Sequence, residues 1–96
     1  MNEQECLEAI AQGDSAYSLV REQAPHLERR FNRLCKSMCE FLSEAQKTFP
    51  DAQYYTAGGG FCLMLGKPHS DDRKSTKQTQ LIALTGIRVQ IGDGDF

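Results

Sequence analysis

Leu27, Phe31, Leu34, Met38, Phe41, Ala45 and Phe49 follow one another at steps of three and four residues. That spacing lays one apolar stripe along a helix of about seven turns. Cys35, Cys39 and Leu42 widen the stripe. Pro25 suits the first helical turn, where a missing N–H costs nothing, and Glu28 complements the positive end of the helix dipole. Pro50, followed by Asp51, ends the pattern. A helix over 25–49 is about 35 Å long, whereas a strand of five or six residues spans ~17–20 Å. A sheet built from the rest of the chain therefore covers about half of this helix. The other half, near Leu27 to Leu34, needs cover from the N-terminal residues or from a second copy. Cover by residues 5–20 is the simpler expectation, and a homodimer is the other.

The chain has 96 residues, enough for one domain and too few for two. It is expected to be a single domain over 1–96, helical over 1–50 and β over 51–96. Forty per cent hydrophobic and 25% charged residues support an ordinary packed core, and exclude the composition of a disordered chain. A net charge of −2 supplies no global pull toward nucleic acid or anionic lipid. The N-terminus, Met1-Asn2-Glu3-Gln4-Glu5, is acidic and lacks the basic and apolar regions of a signal peptide, and no segment is apolar enough to span a membrane. The expectation is a cytoplasmic protein whose four cysteines stay reduced.

Upstream of the long helix, Cys6, Leu7, Ile10 and Ala11 form a short helical face that Gly13 ends. Asp14 or Ser15 then caps a second short helix carrying Ala16, Tyr17, Leu19 and Val20. At Pro25 the sequence allows either a kink or a break. Downstream the period changes to two. Gln53–Thr56, Phe61–Leu65, Gln80–Thr85 and Ile87–Ile91 read as strands, with turns at Gly58-Gly59-Gly60 and Thr85-Gly86. The expected fold class is α+β: N-terminal helices, one of them long, packed on one face of a small, mostly antiparallel sheet of about four strands.

Candidate chemistry is sparse. Cys35 and Cys39 stand one helical turn apart, but no C-x-x-C pair and no His at ligand spacing accompanies them, so small buried hydrophobes are the expected role and no metal is assigned. The triple glycine lacks the Gly-Lys-Ser/Thr and following helix of a phosphate loop. The two histidines, His26 and His69, adjoin no recognisable nucleophile, although Cys62 and His69 become neighbours if the loop folds back. The tail Gly92-Asp93-Gly94-Asp95-Phe96 is only a fragment of a calcium loop. No catalytic residue and no cofactor is assigned, and the chain is expected not to be an enzyme.

Two basic clusters remain. Arg29, Arg30, Arg33 and Lys36 recur on the side of the long helix opposite Phe31 and Leu34. Lys67, His69, Arg73, Lys74 and Lys77 belong to a run of thirteen polar residues, Lys67 to Thr79, that is either a solvated loop or one that contacts a partner. Arg29, Arg33, Lys36, Lys67, His69, Arg73, Lys74 and Lys77 are thus the candidate partner-binding residues. The favoured reading is a non-enzymatic protein-binding module. The alternative is a small nucleic-acid binder using Arg29, Arg33, Lys36, Arg73, Lys74 and Lys77, although no aromatic interleaves with the arginines to stack a base.

The run FPDAQYYTAGGGFCLMLGKPHS (Phe49 to Ser70), followed by LIALTGIRVQIGDGDF (Leu81 to Phe96), resembles the small accessory proteins of tailed bacteriophages and prophages of enteric bacteria. The resemblance covers roughly the second half of the chain and carries no functional residue with it. It implies a location in the host-cell cytoplasm and a role as a modulator or inhibitor that binds a host or phage protein stoichiometrically.

Overall fold

A computed structural model of the chain describes residues 1–57, 60–68 and 77–92. The chain is α+β. Among the described residues three helices, α1 (Glu3–Ala11), α2 (Ala16–Gln23) and α3 (His26–Thr48), precede a three-stranded antiparallel sheet of β1 (Gln53–Ala57), β2 (Gly60–Met64) and β3 (Ile82–Gly86). Two compact units divide the chain, Met1–Met38 and Cys39–Phe96, and α3 contributes to both.

In the first unit the helix ends are set by local chemistry. Asn2 Oδ1 accepts from the Glu5 backbone N–H at 2.9 Å, and Glu5 Oε1 accepts from the Asn2 N–H at 3.2 Å. This reciprocal box satisfies donors that the first turn of α1 leaves without partners. Gly13, at φ +114°, turns the chain out of α1, a conformation that side chains with a Cβ rarely adopt. Ser15 caps α2 through the same kind of box, its Oγ accepting from Ser18 N–H at 3.1 Å while Ser18 Oγ accepts from Ser15 N–H at 3.0 Å.

Between α2 and α3 the chain breaks. Ala24 sits at φ −149°, ψ 67°, outside the helical region. A residue before proline is pushed from that region by the proline ring, so Pro25 ends α2 and delivers the chain to α3 at His26. The Leu27 N–H donates to the Ala24 carbonyl at 3.0 Å across the junction.

In the second unit the last turns of α3 lead through Phe49–Ala52 into β1. Gln46 Nε2 donates to the Ala52 carbonyl at 2.9 Å and ties the helix to the start of the sheet. β1 and β2 pair with Tyr54 opposite Leu63 and Ala57 opposite Gly60. β2 and β3 pair with Leu63 opposite Leu84 and Met64 opposite Ile82, a register shift that leaves Ala83 without a partner on β2. Cys62, Leu63 and Met64 are buried in succession on the central strand, and Ala52 is buried beside them in the chain's small core. Phe41 of α3 stacks on Tyr54, with ring centroids 6.4 Å apart, and Phe61 tilts against Tyr54 at 5.9 Å.

Several expectations change. Among the described residues the sheet has three strands, and Ile87–Ile91 is not a fourth: Ile87 and Arg88 form a turn, and Val89 to Gly92 join no ladder there. Alternating side chains reveal a period but no hydrogen-bonding neighbour, and Ile87 is 89% exposed. The turn expected at Thr85-Gly86 therefore falls at Ile87-Arg88, and Thr85 and Gly86 close β3. Gln80 and Leu81 belong to a 3₁₀ helix, Lys77–Leu81, so β3 starts later than expected. The polar run 67–79 accordingly does not reach Thr79 as plain loop. Gly58 and Gly59 lie outside the described residues, as do residues 69–76 and the tail from Asp93.

Candidate functional site

The stripe that defines α3 is not covered along its first half. Leu27, Phe31 and Leu34 are 44%, 64% and 58% exposed, although Tyr17 and Val20 of α2 line the same cleft. Cover by residues 5–20 is thus incomplete. The reason is one of length: α2 has 8 residues against the 23 of α3, and Leu19 is the one buried hydrophobic side chain of the first unit.

What remains is an open apolar cleft of about 820 Å³. Tyr17 and Val20 of α2 form one wall, and Leu27, Phe31 and Leu34 of α3 form the other. Polar groups stand at its rim. The Tyr17 hydroxyl donates to Glu28, at 2.9 Å from Oε1 and 3.1 Å from Oε2, and so fastens α2 to α3 at one end. Arg30 borders the cleft. The Arg21 guanidinium lies over the Tyr17 ring, 5.7 Å from its centroid. The cleft is thus an apolar trough fastened at one end by the Tyr17–Glu28 contact and bordered by Arg30.

Arg29, Arg33 and Lys36 are exposed on α3, spaced to share the face turned away from the stripe. Lys67 is exposed in the second unit, where its carbonyl accepts from Gln78 Nε2 at 2.8 Å. Lys77 opens the 3₁₀ helix. His69, Arg73 and Lys74 lie outside the described residues. The helix cations and the loop cations thus belong to different units. The sequence marks the cations, but of the cleft it marks only the stretch of stripe near Leu27 to Leu34 that needs cover. Its signal was already in the stripe, in Leu27, Phe31 and Leu34 lacking a helix long enough to cover them.

The second unit offers less. A cleft of about 600 Å³ runs along the last turns of α3 between polar and charged side chains such as Glu40, Ser43 and Lys47. Cys35 and Cys39 are exposed, Cys6 is half-buried and Cys62 is buried. The surface cysteines of α3 are therefore not the buried hydrophobes expected of them. Among the described residues no three His, Cys, Asp or Glu side chains are arranged to hold a metal ion. The Tyr54 phenol is held above its usual range, first by burial and then by the nearby Cys39 thiol. No helix among the described residues is long and apolar enough to cross a membrane.

No protein-family model, curated protein or solved structure matches the chain.

Proposed function

We propose that the chain is a non-enzymatic protein-binding module whose docking surface is the cleft between α2 and the first half of α3. The observation that carries this reading is the exposure of Leu27, Phe31 and Leu34 on a single helix face. Each large apolar side chain left in water forgoes roughly 1.5–3 kcal/mol that burial would supply. A row of three beside Tyr17 and Val20 is the anchor pattern that an amphipathic helix meets at i, i+3 or i+4, and i+7. The flanking cations supply orientation and encounter rate more than affinity. The resemblance to phage accessory proteins suits a stoichiometric modulator of a host or phage protein in the bacterial cytoplasm.

The test is affinity capture from a nuclease-treated enteric-bacterial lysate, run in parallel with the chain and with Phe31→Asp/Leu34→Asp. Circular dichroism checks that the variant keeps its helices. A protein retained stoichiometrically by the chain and lost from the variant supports the reading. The same set of proteins on both columns refutes it. Binding that is carried by Arg29, Arg33 and Lys36, appears only in a parallel capture without nuclease and falls steeply with salt would instead make the chain a nucleic-acid binder.

A further inference from the structure

We infer that the cleft of one protomer seats α1 of a second copy of this chain, and that the exchange is reciprocal. The inference rests on reading the cleft as a docking surface, and it names what holds the cleft in the free protein, to be displaced when a target protein binds.

Charge is the first argument. Residues 1–12 carry Glu3, Glu5 and Glu8 and no basic side chain. The segment that builds the cleft, residues 16–38, carries five basic residues against two acidic ones, and Glu28 is already engaged by Tyr17. The net charge of −2 thus hides an acidic helix and a cationic seat within one unit. Arg30 is the cation at the rim. Arg29, Arg33 and Lys36 stand across a helix about 10–12 Å wide, beyond the ~8 Å screening length of physiological salt, and act more weakly.

Shape is the second argument. Leu7 and Ile10 stand on one face of α1 and are 55% and 40% exposed. Glu3 precedes Leu7 by four residues and shares that face. α1 is about 14 Å long, and the cleft from Leu27 to Leu34 runs about 11 Å. Within the same protomer α1 packs on α2 and contributes no side chain to the cleft wall. The Gly13 turn, closed by the Gly13 N–H on the Ile10 carbonyl at 3.1 Å, keeps it there. A second copy supplies the same acidic, apolar helix without that tether. Two such contacts related by a twofold axis close on themselves and end the assembly at a dimer. Pairing α3 with α3 is the less favourable alternative, because it juxtaposes two cation-rich segments.

Sedimentation equilibrium of the full chain in reducing buffer, over a micromolar to sub-millimolar range, tests this. The expected result is a reversible dimer. Arg30→Glu alone and Glu3→Arg alone each weaken it by roughly tenfold or more, the scale of one lost charge pair turned repulsive. Mixing the two variants restores association, because the swapped charges then meet, and circular dichroism shows both variants folded. A monomer at every concentration overturns the inference. So does a dimer that neither substitution moves. Neither result touches the reading of the cleft as a docking surface, which fails separately if Phe31→Asp/Leu34→Asp captures the same proteins as the unaltered chain.

Discussion

The ring of Phe61 covers Gly86 across the β2–β3 ladder. The two residues are paired, and a Cβ added to Gly86 would stand 2.6 Å from Phe61 Cδ1. An aromatic side chain laid over a cross-strand glycine recovers contact that the glycine lacks, and it also leaves no room for a methyl group. Gly86→Ala should therefore destabilise the fold by about 1–3 kcal/mol, the usual cost of overpacking. Chemical denaturation checks this, and a cycle with Phe61→Leu should recover much of the loss. Equal costs in both backgrounds would mean that the ring is not the obstacle.

Tyr54 gives the fold an alkaline limit. Burial, then the Cys39 thiol, raises its pKa. Because the unfolded chain releases the phenolic proton near pH ~10 while the fold retains it, folding above that pH requires proton uptake. The contribution is fully present below pH ~10 and is lost as pH climbs toward the folded pKa. Across that window the denaturation midpoint of the chain should fall more steeply with pH than that of Tyr54→Phe. In an ultraviolet titration of the three tyrosines, one should ionise late, and Cys39→Ser should bring it earlier.

The link between α1 and α2 depends on one backbone angle. At φ +114°, Gly13 has open space for a Cβ but the wrong conformation for one. Gly13→Ala should cost about 1–3 kcal/mol through backbone strain alone. Ser15→Ala, which removes the cap of α2, should cost about 1 kcal/mol. Thermal unfolding of the two variants measures both, and a neutral Gly13→Ala would show that the turn can be rebuilt cheaply.

Thiol accessibility separates the cysteines by place. Cys35 and Cys39 are exposed and should react with an aromatic disulfide reagent in native buffer. Cys62, buried on the central strand, should react only with denaturant present. Rapid reaction of Cys62 in native buffer would contradict its position in the core.

The elements most legible in the sequence are those whose cause is local. The stripe from Leu27 to Ala45, the proline that displaces Ala24 and the serine that caps α2 each act within a few residues, and the helices fall where those signals place them. The strands at Gln53 and Phe61 were legible for the same reason. Ile87, Val89 and Ile91 alternate as cleanly as any strand, yet a strand is a relation to a neighbour, and periodicity carries no information about who that neighbour is. The cleft was half legible. The excess length of α3 required cover near Leu27, but that Leu27, Phe31 and Leu34 stay exposed beside Tyr17 and Val20 is seen only in the folded chain.

The position of β2 has a further consequence. Among the described residues it is bonded on both sides, whereas β1 and β3 are each bonded on one, and Cys62, Leu63 and Met64 on it are buried. The outer strands can fray singly, each opening a single ladder. Releasing β2 breaks both ladders together with most of the core. Amide hydrogens of Cys62 and Leu63 should thus exchange with solvent only through cooperative opening of the whole sheet, at a free energy equal to that of unfolding the unit. The outward amides of β3 should exchange orders of magnitude sooner, so that one central strand of 5 residues sets the lifetime of the second unit.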